Sequence, residues 1–280
     1  MQDIIFALSQ DYMQRALIAS IIVGISCPIV GLYLVLRRLS LIGDGLGHAA
    51  FAGVAAAWLA GINPLLGAAI FAIAGALGVE RLRSWRREHG DLALAIVFYS
   101  GIALGVVLTS LARRMNLSLF TYLFGSILTI TNTDLLIIGI TGACVIVLVI
   151  MLYKELFTLT YDEDIAKVSG LPVNLLNYLI VLLGAITVVS ALRVVGVLLV
   201  AGMLVIPVAS ALQIARSFKQ ASIYSICFGL ASTILGLAFS YILDLAPGGA
   251  IVLTAVILFT ISSILPSRNI KASRIFLGTK

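Results

Sequence analysis

The feature that most constrains this chain is a succession of apolar runs, each close to the length a helix needs to cross a lipid bilayer. A spanning helix takes about 20 predominantly apolar residues, because its backbone amides and carbonyls must be satisfied where water cannot reach them. About nine such runs can be read: Ala16 to Leu36, Ile42 to Gly61, Pro64 to Val79, Leu92 to Ala112, Leu135 to Tyr153, Leu176 to Leu192, Val195 to Gln213, Ala221 to Leu243 and Gly248 to Leu265. The fold class expected is therefore all-α, a polytopic membrane helix bundle. Hydrophobic residues make up 61% of the 280 and charged residues 11%, too few to coat a water-soluble globule. A single transmembrane domain over 1–280 is expected, with a cytoplasmic segment at about 154–175 and a cytoplasmic tail at 266–280.

Charge distribution gives an orientation. Fourteen of the 18 Lys and Arg fall on one side of the alternation: Arg37 and Arg38, the group Arg81 to Arg87, Lys154 and Lys167, Arg216 and Lys219, and the tail from Arg268 to Lys280. Only Arg15, Arg113, Arg114 and Arg193 fall on the other. Positive residues favour the cytoplasm, which predicts the N-terminus outside and the C-terminus inside. Because these residues sit in short gaps rather than along one face, the net charge of +6 implies topology and not nucleic acid. Cys27, Cys144 and Cys227 lie in separate runs without metal-site spacing, which reads as packing. Met1 to Arg15 has Asp3 and Asp11 and no basic start before an apolar core, so no cleavable signal peptide is expected.

Inside the second run lie Asp44 and His48. In a chain almost free of charge within its apolar stretches, an ionisable pair lowered into hydrocarbon is costly and marks a functional site by default. Four residues apart, the two share one helix face about 6 Å apart along the axis, with Ala52 and Ala55 continuing that face. A carboxylate and a neutral imidazole so placed can ligate one divalent cation together. Spacing alone also admits a hydrated Asp44 at the interface and a His48 that donates to a neighbouring helix carbonyl. Two ligands do not close a shell, so others must come from further helices or a second subunit. The best remaining acid is Asp244, before Ala246-Pro247-Gly248-Gly249, which is equally suited to capping the next helix. Gly43, Gly47, Gly53 and the alanines around them let other backbones approach, so this helix should be central, with Leu65 to Gly78 a close neighbour.

A second informative stretch runs from Thr160 to Pro172. Thr160 and Glu163 have capping-box spacing, Asp162, Glu163 and Asp164 fill the first turn, and Gly170 before Pro172 stops the helix. Ile165, Val168 and Leu171 give it an apolar edge suited to a cleft on a soluble partner, or to resting on the membrane. No G-x-x-x-x-G-K-[ST] stretch occurs, so no P-loop nucleotide site is expected. There is no H-E-x-x-H either, and His48 and His89 fall on different segments.

The stretch from Leu34 through Arg37-Arg38-Leu39-Ser40-Leu41-Ile42-Gly43-Asp44 to His48, with Ala52-Gly53-Val54, resembles the membrane permease of the ABC family that imports zinc, manganese or iron(II). Ala95 to Leu108, Tyr122 to Leu128, Arg193 to Ala211, and Ser240-Tyr241 with Asp244 extend the likeness over most of the chain. The resemblance implies the membrane-spanning subunit of an importer in the cell membrane, not itself an enzyme and without a permanent cofactor. It implies a permease homodimer, two cytoplasmic subunits that bind ATP, and an extracytoplasmic metal-binding protein. Asp44 and His48 would be the metal contacts, with Asp244 the remaining candidate. The helix carrying Thr160, Asp162, Glu163, Ile165, Val168, Gly170 and Leu171 would be the element seated in the ATPase. Zinc is slightly favoured over manganese as cargo. A secondary metal/proton carrier or an intramembrane metalloenzyme would use the same pair and differ in energy source and in product.

Overall fold

The computed structural model describes residues 10–85, 90–111, 117–126 and 129–264. His89, Arg113, Arg114 and the expected tail at 266–280 lie outside them. The described elements are α1 (Asp11–Leu36), α2 (Ile42–Leu59), α3 (Pro64–Trp85), α4 (Gly90–Leu111), α5 (Leu117–Phe124), α6 (Asn132–Met151), α7 (Tyr153–Tyr161), α8 (Glu163–Val168), α9 (Val173–Val195), α10 (Val200–Ile214), α11 (Phe218–Leu243) and α12 (Pro247–Ile264). There is no strand among the described residues.

Seven of these helices are long and apolar enough to cross a membrane, two fewer than the nine runs of the sequence. The two that fall short have physical reasons. Helix α2 carries Asp44, His48 and four glycines in 18 residues, and α10 has 15 residues. Its expected start at Val195 is wrong because α9 continues through Val195 and ends at Gly196, whose φ of 86° no side-chain-bearing residue adopts cheaply. The chain then turns as a strap onto the end of α5: the Val197 amide donates to the Tyr122 carbonyl (2.9 Å) and the Ser126 amide to the Arg193 carbonyl (3.3 Å). Buried backbone that leaves a helix must find partners elsewhere in the protein, and this strap supplies them.

Helix α2 lies at the centre, as its small residues predict. Its Gly43 faces Ala201 and Leu204 of α10, and Gly47 approaches the Val197 carbonyl. Gly53 and Gly67 put the backbones of α2 and α3 in direct contact, where a Cβ on either would collide with the other chain. Asn63 caps α3 as expected, its Oδ1 accepting from the Leu65 amide at 2.9 Å.

Charged residues gather at two ends. At one, Arg15 donates to Asn132 (3.3 Å) and Arg193 pairs with Asp134 (3.3 Å). At the other, Arg37, Arg83, Glu80, Glu163 and Lys167 cluster. Arg15 in the first turns of α1 and Arg37 just after its last turn thus stand at opposite ends of that helix.

Candidate functional site

Asp44 and His48 lie in the first two turns of α2, within electrostatic reach of each other and each half-buried. Their orientation follows from the glycines. Gly43 and Gly47 turn toward α10 and Gly45 toward Leu94 and Phe98 of α4, leaving 44 and 48 on a stripe that continues through Phe51. The His48 ring meets Phe98 edge to face, with centroids 4.7 Å apart at 82°. On the backbone side Gly101 of α4 sits against Ala49 and the His48 carbonyl, too close for a Cβ. Helix α4 therefore fixes the imidazole, a role not evident in the sequence, where Phe98 is one of two aromatics in an apolar run.

The pair is not joined by a third ligand among the described residues: no group of three or more His, Cys, Asp or Glu forms there. Asp244 in particular is elsewhere. It is the exposed C-cap of α11 in a left-handed conformation (φ 52°), with the Leu245 amide returning to the Ser240 carbonyl. Helix α11 starts at Phe218, packed on Tyr33 near the Arg37 end, and runs 26 residues, so Asp244 lies at its far end, about 39 Å along the helix axis from Phe218.

The segment from Thr160 to Leu171 is bounded differently from its expected form. Helix α7 runs on to Tyr161, and the Thr160 hydroxyl donates back to the Leu156 carbonyl (2.7 Å) instead of capping. The cap of α8 is Asp162, whose Oδ1 accepts from the amides of Asp164 (2.8 Å) and Ile165 (3.1 Å). Gly170, with φ of 77°, closes the other end as expected: its amide returns to Lys167 and that of Leu171 to Ala166, the paired bonds of a Schellman stop. Leu171 thus lies beyond the helix and packs inward, while Ile165 and Val168 are 50% and 90% exposed.

Glu163 points the other way, to Arg37. The Arg37 side chain is 5% exposed; Nη1 donates to Asn177 Oδ1 and Nη2 to Glu163 at 3.4 Å. Burial, with Arg83 nearby, pushes the guanidinium down to about 10 against the pull of Glu163 and Glu80, so it stays charged at neutral pH. Beside it a polar cavity of about 310 Å³ is lined by Glu80, Arg83, Glu163, Asn174, Asn177 and Tyr178. Sequence reasoning missed this cluster.

Seven apolar spans packed around a helix with a carboxylate–imidazole pair define a multi-pass protein of the cell membrane. Residues 9–266 match the model of the ABC 3 transport family, and the chain belongs to that family. It is accordingly a transport permease and not itself an enzyme. The chain is 39% identical over 255 residues to the manganese transport system membrane protein MntC of Listeria monocytogenes, covering 91% of each. It is 34% identical to the manganese import system permease protein ScaB of Streptococcus gordonii, covering 90% of each. Among solved structures it resembles PsaBC from Streptococcus pneumoniae in complex with Fab, with a TM-score of 0.84 and 34% identity over 94% of this chain and 95% of that one.

Proposed function

We propose that this chain is the membrane subunit of an ABC importer that carries manganese(II) into the cytoplasm, the ion passing between Asp44 and His48. The observation that carries the reading is that these two residues stand one helical turn apart and half-buried on α2, a helix with 12 of its 18 residues buried. The manganese relatives favour that cargo over zinc, and an oxygen and a nitrogen donor suit it. Two protein ligands are enough to replace part of the ion's water without trapping it, which passage requires.

The remaining parts follow from the family. Two copies pair, so that the half-exposed side of the site and the exposed apolar face of α4 (Ile96, Tyr99, Leu104) are covered by a second subunit or line a wet path. A soluble protein delivers the ion from outside, and Asp244 belongs to that entrance and not to the pair. Helix α8, capped by Asp162 and stopped at Gly170, presents Ile165 and Val168 to a cytoplasmic ATPase that binds ATP. In this reading residues 1–280 form one permease domain, α2 and α10 join the seven long helices as interior spans, and the N-terminus lies outside with the C-terminus inside.

Uptake of manganese(II) by cells expressing the full transporter tests the site. Asp44→Ala and His48→Ala are expected to abolish uptake while the permease still co-purifies with its ATPase; wild-type uptake by both variants would end the assignment. Uptake that persists without ATP, driven by a pH gradient alone, would favour a secondary carrier instead.

A further inference from the structure

The coupling reading leaves open how movement of α8 reaches α2, since α8 and the Asp44/His48 pair lie on segments more than a hundred residues apart. Arg37 spans that gap. It stands in the five-residue connection between α1 and α2 (Arg37 to Leu41). That connection is stiff: the amides of Arg37, Arg38 and Leu39 return to the carbonyls of Tyr33 (3.1 Å), Val35 (3.0 Å) and Leu34 (2.8 Å), with Arg38 held at a φ of 59°. A stiff turn transmits a displacement that a loose loop would absorb.

The fork of the guanidinium is used on two different elements. One nitrogen holds Asn177 near the start of α9 and the other holds Glu163 at the start of α8. On α8 the Glu163 side faces Arg37 while Ile165 and Val168 face out, so the short helix is gripped on one face and presented on the other. Asp44 follows Arg37 by seven residues and begins two residues into α2.

We infer that Arg37 is a positioning residue for transport: it fastens α8 to the α1–α2 turn, so that a shift of α8 moves the first turn of α2 and with it Asp44 and His48. This rests on the reading of α8 as the ATPase contact and of the pair as the ion site. Arg37 does not touch the ion; it acts through the turn. A guanidinium is required because a lysine ammonium is a point charge that cannot present two fixed donors to Asn177 and Glu163 together.

The test is the number of manganese(II) ions taken up per ATP hydrolysed by the permease–ATPase complex in proteoliposomes, with the melting temperature and subunit ratio measured on the same preparations. Arg37→Gln and Glu163→Gln are each expected to lower that ratio about tenfold, within the usual range of coupling between sites, in complexes of normal subunit ratio. The double variant is expected to be no worse than the poorer single one, because both remove the same link. Arg37→Lys falls between wild type and Arg37→Gln. A wild-type ratio in either single variant, multiplied losses in the double, or losses that simply follow a falling melting temperature would each overturn the inference. Should Arg37→Gln fail to assemble, Glu163→Gln on the more exposed partner carries the same comparison. If the wild-type complex moves manganese(II) without ATP, the coupling reading falls and this inference with it. If transport needs ATP and the variants keep the wild-type ratio, only the inference falls.

Discussion

Replacing Arg193 with alanine removes the cation paired with Asp134 and tests whether the strap between α5 and α9 is tied down as the structure has it. The two side chains are 17% and 6% exposed with 3.3 Å between charged atoms, and the guanidinium lies 4.5 Å above the Tyr122 ring. At that separation the gross attraction is about 5 kcal/mol for an effective dielectric of about 20, and desolvation of both groups offsets part of it. Breaking such a buried pair from one side costs about 3–5 kcal/mol. Asp134 keeps the Thr131 amide (3.0 Å) and hydroxyl (2.8 Å) as donors, which holds the loss toward the lower end. About 3 kcal/mol, including the ring contact, is the expected cost, roughly a hundredfold in the folding equilibrium. In a detergent-solubilised melt this is a fall of about 6–12 °C. Asp134→Ala in the Arg193→Ala background should then cost no more than the lost cap, about 1 kcal/mol, because the pair is already broken. A melting temperature within about 1 °C of wild type for Arg193→Ala, or fully additive losses in the double variant, would refute the claim that this pair fastens the strap.

Other perturbations follow from the same geometry. Gly53→Val forces α2 and α3 apart at their closest approach and should cost about 3 kcal/mol, whereas Gly139→Ala on α6, with open space around its Cα, should fall within about 0.5 kcal/mol; parallel thermal melts compare them. Asp162→Ala strips both amide bonds from the start of α8 and should weaken ATPase co-purification at a cost of about 1 kcal/mol, while Thr160→Ala, which loses only a bond within α7, should leave it intact. Val168→Asp, at a 90% exposed position, should abolish co-purification without lowering the melting temperature, and intact pull-down would remove α8 as the docking element.

What was legible in the sequence was whatever is written in local pattern. The Asp44–His48 spacing, the small-residue face of α2, the Asn63 start of α3 and the Gly170 stop of α8 each need only a few neighbouring residues. The errors have a common cause. Thr160 and Asp162 are both good caps, and only the fact that α7 continues to Tyr161 decides between them. Val195 to Gln213 carries no charge and only Ser210 and Gln213 as polar side chains, so the break at Gly196 is visible only once Tyr122 and Leu123 are seen to take its neighbours' amides. Arg37 lies 126 residues from Glu163 and 140 from Asn177, and no periodicity spans that distance.

The discrepancy between nine runs and seven long spans has a further meaning. Helices α1 and α4 have the same mean hydropathy, 2.3, yet 67% of the first is buried in the protein and 22% of the second. Hydropathy therefore reports fitness for a membrane and is blind to whether lipid or protein supplies the apolar contact. A helix sheathed by others is released from the need to be apolar, and it can spend that freedom on glycines for close approach and on ionisable groups. Helix α2, enclosed by α3, α4, α9 and α10, has done both. The segment that falls below the threshold for a span is for that reason the one to search first for the ion.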